Sequence, residues 1–311
     1  MTAPDLNVRE NALPIEVAME EFFPEEEPFF RVLLQDLLRE KAALIAVSTL
    51  IGMALIALLA PAVAPYDPMA QNLADSLRPP LWRSPEGNLY LLGTDAVGRD
   101  LLSRIIYGTR ISLFIGIIAV LLSSQIGLFL GLFAGYLGGK VDFFIMRVVD
   151  FVLAFPFILI ALSFIAIIGP SIPLLCLVMS SRIWIVYARV VRSQTLQLRE
   201  MEFVQAARSV GASSLRIITR HLLPNVLGPC IVIASLYLGR MIIIESGLSF
   251  LGLGVPPPSI SWGGMLAQGR VHIFSSWWVI TFPGLAILLA ALSAQLLGDW
   301  LAVWFDPRLR E

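Results

Sequence analysis

The sequence predicts an all-α polytopic membrane protein with six transmembrane helices. Of 311 residues, 57% are hydrophobic and only 14% charged, and the mean hydropathy is +0.81. Soluble domains are about 45–50% apolar and about 25% charged, so an ordinary water-soluble surface is excluded. Lys41 and Lys140 are the two lysines, and the net charge is −1. Bulk attraction to polyanions is therefore excluded, and no nucleic-acid partner is expected. Cys176 and Cys230 each sit in an apolar run with no Cys or His at ligand spacing, which reads as packing rather than as a disulfide or a metal site.

Taken in order, residues 1–28 form an acidic, proline-punctuated stretch with Glu25, Glu26 and Glu27 in a row, the composition of a disordered tail. Residues 29–65 hold an amphipathic helix and the first span. Phe29, Phe30, Leu33, Leu34, Leu37 and Leu38 are set against Arg31, Asp36, Arg39 and Glu40. That helix either lies in the membrane interface or extends the span. A bilayer core takes about 20 apolar residues per helix, and six stretches fit: 42–65, 111–134, 148–168, 171–191, 226–245 and 277–298. The first is too long, and starts too far into the chain, for a cleavable signal peptide. Gly169, Pro170 and Pro173 supply the break between the third and fourth.

Residues 66–110 are polar and proline-rich, an extracytoplasmic segment that reads as a docking cap or as a plug ordering the span beneath it. Residues 111–300 form a five-helix core, and 301–311 a cytoplasmic tail. Gly127, Gly131 and Gly135 in the second span form a small-residue stripe that admits a close helix, from this chain or from a partner. The stretch 246–276, with Pro256-Pro257-Pro258 and Trp262, reads as a non-helical outer excursion. Trp277 and Trp278 then mark the outer interface of the last span. With both termini inside, fourteen Lys and Arg fall on the cytoplasmic side; Arg78, Arg83, Arg99, Arg104, Arg110 and Arg270 fall outside. That balance places both termini in the cytoplasm by the positive-inside rule.

No catalytic constellation appears. A phosphate-binding loop needs Gly-x-x-x-x-Gly-Lys-Ser/Thr, yet Ala134 stands at the first glycine position before Gly139-Lys140, and Val141 follows the lysine. His221 and His272 occupy different loops without a second ligand at i+3 or i+4, so no metal site is expected. Within the spans, Arg182 and Glu245 are the pathway candidates. Arg182 either selects an anionic group in the pathway or pairs with a carboxylate or backbone carbonyls inside the bundle.

The most informative segment is 202–225. Val204, Ala207, Gly211, Leu215, Ile218 and Leu222 follow one another at helical pitch. Gly211 interrupts them where a sharp turn is cheap, and Pro224 marks re-entry into the membrane as a new helix. Two short amphipathic helices at a membrane edge suit a partner's groove; the plain alternative is a surface pair packed on its own subunit.

Gln205-Ala206-Ala207, Gly211 and Leu223-Pro224 resemble the EAA loop of binding-protein-dependent ABC importer permeases, with Gln205 in place of the usual glutamate. Arg208, His221 and Asn225 are similar to the dipeptide, oligopeptide and nickel branch of that family. So are Leu92-Gly-Thr-Asp-Ala-Val-Gly-Arg-Asp100, Leu248-Ser-Phe-Leu-Gly-Leu-Gly254, Gly298-Asp299 and Asp306-Pro307-Arg308. Arg182, Gln295, Trp300, Ala302 and Val303 depart from the family pattern.

The resemblance implies a type I importer fold in the prokaryotic inner membrane, surrounded by lipid. It also implies a second, homologous permease, two cytoplasmic P-loop ATPases and an extracytoplasmic solute-binding protein. This chain would hold no cofactor; ATP and Mg would belong to the ATPases. Gln205, Ala206, Ala207, Arg208, Gly211, Leu215, Ile218, Leu223 and Pro224 would dock the ATPase. A secondary transporter working alone would instead carry an internal inverted repeat, and none is visible.

Overall fold

The computed structural model describes residues 29–305. The expected acidic tail 1–28 and the Asp306-Pro307-Arg308 motif lie outside the described residues. The chain divides into two units between Leu44 and Ile45. In the first, α1 (Phe29–Arg39) leaves Leu34 and Leu38 more than half exposed, as an interfacial apolar face requires. The helix α2 (Lys41–Leu58) begins there and runs on into the second unit, where the short α3 (Ala60–Val63) follows it.

The second unit is built on α4 (Leu101–Leu137) and α7 (Ile172–Leu198). Asp100 caps the start of α4, its carboxylate accepting from the Ser103 N–H at 2.8 Å. Gly138 ends the helix at φ +65°, where a side chain would be strained. At 1.5 Å per residue this helix is about 55 Å long, well beyond a bilayer core of about 30 Å. The expected second span therefore starts inside a longer helix that rises out of the apolar layer.

Gly131 and Gly135 show why α4 and α7 lie so close. A Cβ on Gly131 would stand 2.7 Å from the Ala188 carbonyl oxygen, and one on Gly135 would stand 2.6 Å from Thr195 Cβ. The glycine stripe thus serves packing within the chain. Around this contact lie the fully buried Ile115, Leu132, Leu175, Met179 and Tyr187.

The third span departs from a single rod. α5 (Gly139–Ala154) and α6 (Phe157–Ile168) are bent by 84° at Phe155-Pro156. Pro156 has no N–H to continue the ladder of α5. Among the described residues, five helices are long and apolar enough to cross a membrane, six if this bent pair is one span.

At one end, residues 66–100 carry a two-stranded antiparallel hairpin, β1 (Trp82–Arg83) and β2 (Leu89–Tyr90). The Tyr90 hydroxyl donates to Asp75 Oδ2 at 3.2 Å. Burial, with Asp75 beside it, pushes this phenol up to about 12, so it remains a donor throughout the physiological range. Trp278, expected at the outer interface, is buried and donates its indole N–H to the Thr94 carbonyl at 3.2 Å. It fastens the hairpin segment to α12 (Trp278–Phe305), while Trp277 stays exposed.

The excursion expected over 246–276 is irregular over 251–261 but helical on either side of it. The helix α10 (Leu223–Phe250) continues to Phe250, α11 spans Trp262–Gly269 and a 3₁₀ turn covers Arg270–His272. Ser261 caps α11, accepting from the Gly264 N–H at 3.1 Å. That local cap overrides the proline-rich signal just before it.

Candidate functional site

The segment 202–225 folds differently from two separate short helices. Its first part is α8 (Glu202–Ser209), followed by a turn in which Gly211 has φ +82°. The Gly211 and Ala212 N–H groups close it, donating to the Arg208 and Ala207 carbonyls at 3.0 and 3.1 Å. Then α9 (Ser214–Ile217) passes through a π-helical turn, Ile218–Leu222, straight into α10. Pro224 marks no new start: the wider turn just before it absorbs the hydrogen bond its missing N–H cannot make. The post-Gly211 arm is thus one rigid piece with the following span.

Val204, Ile217, Ile218 and Leu222 are buried and Ala207 half-buried. This inward face holds α8 and the arm against the bundle. Ile218, expected among the docking residues, is turned inward and presents no surface. Gln205 is half-buried, its amide donating to the Arg199 carbonyl at 3.1 Å. Ala206, Arg208, Gly211, Leu215 and Pro224 are exposed and Leu223 is half-buried. Met201, Phe203 and Val210, which periodicity does not select, are exposed along with Leu215; Val210 is 85% and Leu215 67% exposed. Their signal in the sequence is that they are apolar yet fall off the buried stripe. Arg208, Arg216 and Arg220 on the same segment are exposed as well, and exposed apolar side chains with charged neighbours are what a protein-docking patch requires.

Charged side chains tie the segment to the core. Arg192 forks onto Asp142, with Nη2 to Oδ2 at 2.6 Å and Nε to Oδ1 beside it. Arg199 Nη1 donates to the Gly135 carbonyl at 2.9 Å, and the Arg208 guanidinium lies 5.8 Å from the Tyr136 ring centre. Two planar forks hold the end of α7 to the α4–α5 corner at several points. A push on α8 therefore reaches α4, α5 and α7 together.

The two pathway candidates are not brought together. Arg182 borders a cavity between α7 and α10. Glu245 is fully buried and accepts from the Ser249 hydroxyl at 2.7 Å and from the Ser261 hydroxyl. Ser261 is the cap of α11, so Glu245 fastens α10 to α11 rather than lining a path. Among the described residues no group of His, Cys, Asp and Glu is placed to hold a metal. Cys176 and Cys230 are free and buried.

Residues 127–311 match the model of the binding-protein-dependent transport system inner membrane component family, more than half of the chain. The chain belongs to this family. Residues 28–80 match the N-terminal transmembrane domain of oligopeptide transport permease C. The dipeptide transport system permease protein DppC of Escherichia coli K12 is 44% identical over 273 residues, 88% of this chain and 91% of that one. A putative peptide transport system permease protein of Brucella suis is 41% identical over 274 residues, 88% and 90% of the two chains. The di/tripeptide permease DppC of Pseudomonas aeruginosa is 40% identical over 276 residues, 89% and 91%. Among solved structures, the MetNI methionine ABC transporter in inward-facing conformations has a TM-score of 0.53 at 19% identity, covering 66% of this chain and 96% of that one. That likeness shows the type I permease fold. Of the expected departures from the family pattern, Gln295, Trp300, Ala302 and Val303 sit on α12, where Gln295 donates to Asp299 at 3.0 Å, and Arg182 sits on α7.

Proposed function

We propose that this chain is the membrane subunit of an ATP-driven importer of short peptides or similar small solutes. It forms half of the translocation pathway beside a homologous permease, and receives solute from an extracytoplasmic binding protein. Two cytoplasmic ATPases grip segment 202–225, and both termini lie on their side of the membrane. ATP and Mg act in those ATPases, and this chain carries out no chemistry of its own. The relatives' names supply the solute class. The observation that carries the coupling role is the exposed apolar residues of α8 and its turn, followed by an arm that runs from Ser214 without a break into α10, beside an α7 end that Arg192 and Arg199 tie to α5 and α4. A rigid-body push on such a handle tilts whole spans, and that is how one side of a pathway is exchanged for the other.

The test is Gly211→Leu in the assembled complex. Nothing lies within 4 Å of a Cβ at this position, so the Cβ itself meets no clash. The backbone at φ +82° nevertheless costs an L-residue about 1–2 kcal/mol and reshapes the turn. Solute-stimulated ATP hydrolysis should fall about tenfold, an effect of about 1.4 kcal/mol, with the subunits still co-purifying. Undiminished stimulation contradicts the coupling role.

A further inference from the structure

Two stripes of side chains face each other across a cavity of about 470 Å³. On α7 the stripe includes Arg182, Val186 and Arg189, and on α10 it includes Tyr237, Arg240 and Ile244. Each set repeats at i, i+3 or i+4, and i+7, so each forms one helix face. Three guanidiniums thus border one space within membrane-crossing helices. Arg189 alone has an acid, Asp150 at 3.3 Å, and both side chains are more than half exposed. Arg182 reaches only the Phe155 carbonyl, freed by the break before Pro156, at 3.4 Å. Arg240 lies 5.4 Å from the Tyr237 ring centre. Among the described residues neither Arg182 nor Arg240 has a carboxylate partner, and Glu245 is sealed among serines elsewhere on α10.

Unpaired like charges at this depth are unfavourable unless water or an anion meets them. Arg182 is ten residues from the Ile172 end of α7, about 15 Å at 1.5 Å per residue, which is too deep for a side chain to snorkel to a headgroup. Any counter-charge therefore comes from outside the described residues, and the half-exposed Arg182 and exposed Arg240 are open to meet it. A neighbouring subunit's carboxylate would fill only a corner of the space, whereas 470 Å³ falls in the range of small-molecule sites, about 300–1,000 Å³. Guanidinium forks match carboxylates bidentately. Without a fixed acid, the contact is made and released with each passing molecule.

We propose that Arg182 and Arg240 form a transit site for carboxylate-bearing solutes on the pathway face of this subunit, with Arg189 at its rim. The proposal rests on the transport reading above and adds a charge preference to it. The full complex, in proteoliposomes with ATP, would be given the labelled tripeptides Ala-Glu-Ala, Ala-Ala-Ala and Ala-Lys-Ala. In the Arg182→Gln/Arg240→Gln pair, the uptake ratio of the acidic to the basic peptide should fall about tenfold, the loss of one good charge-assisted contact. The Arg182→Lys/Arg240→Lys pair should keep most of it.

Val186→Glu sits between the arginines on the cavity wall and supplies the acid internally. It should lower uptake of Ala-Glu-Ala, with its extra carboxylate, more than that of Ala-Ala-Ala, whose single carboxylate is balanced by its own ammonium, while the melting temperature of the complex holds. An unchanged ratio in all variants, with peptides still transported, overturns the site. So does loss of the partner permease from the Gln pair on purification, since the charges would then be held by that subunit. If the unaltered complex takes up no peptide of any charge, the transport reading falls and the site with it.

Discussion

At the scale of single residues, the same chemical type does opposite work in different places. Arg192 and Arg199 are consumed by a carboxylate and a backbone carbonyl, whereas Arg182 stands half-open over a cavity. Sequence position alone marks Arg182 and Glu245 as equal oddities in apolar helices. Only packing separates them, because Glu245 finds hydroxyl donors four residues on and across the α10–α11 junction. Replacing Glu245 with Ala strips two buried hydroxyls of their acceptor. That change should cost about 1–3 kcal/mol and lower the melting temperature of the detergent-solubilised complex, with Glu245→Gln milder. The glycine stripe is the more legible feature: Gly131→Leu should force α4 from α7 at a cost of about 1–3 kcal/mol or more, read as lost yield and a lower melting temperature.

At the scale of elements, hydropathy finds the long spans and says little about how they break. It draws 148–168 as one rod, although Pro156 within it removes an N–H and the chain turns by 84°. The triple proline draws 246–276 as irregular throughout, although the Ser261 cap restarts a helix five residues after Pro256. In both stretches one local backbone feature, the missing Pro156 N–H or the Ser261 cap, decides the outcome. In the 202–225 segment, periodicity recovers the inward face, Val204, Ile218 and Leu222. The outward face is harder to read, because Met201, Phe203 and Val210 are defined by what they do not touch. The tie between α5 and α7 belongs to this scale as well. Asp142→Asn takes the charge from the Arg192 fork, and solute-stimulated ATP hydrolysis should fall several-fold while basal hydrolysis stays level. Equal loss of both rates would mean that the pair merely holds the fold.

For the whole molecule, the charge balance expected from the sequence carries a visible exception, the arginine-rich stretch up to the start of α4. Arg99 and Arg104 both reach Asp95, at 2.7 and 3.4 Å, and share the Gln268 amide oxygen at 3.2 Å. Arg78 stacks on Trp82 at 4.9 Å. Arg99 and Arg104 are thus committed to fastening the hairpin segment onto α11, and Arg78 to a contact within it. The fold class follows from composition and span count. The continuity of the arm from Ser214 into α10 depends on a π turn that no composition records. One measurement reaches the central claim directly. With Cys176 and Cys230 buried, a cysteine at the exposed Val210 is the reactive thiol of the described residues, and a short bifunctional reagent can be applied to the intact complex in sealed vesicles. Val210→Cys should cross-link to an ATPase subunit, and impermeant maleimide should label it only from the ATP-accessible face; labelling from the opposite face, or no link to any ATPase, would contradict the account.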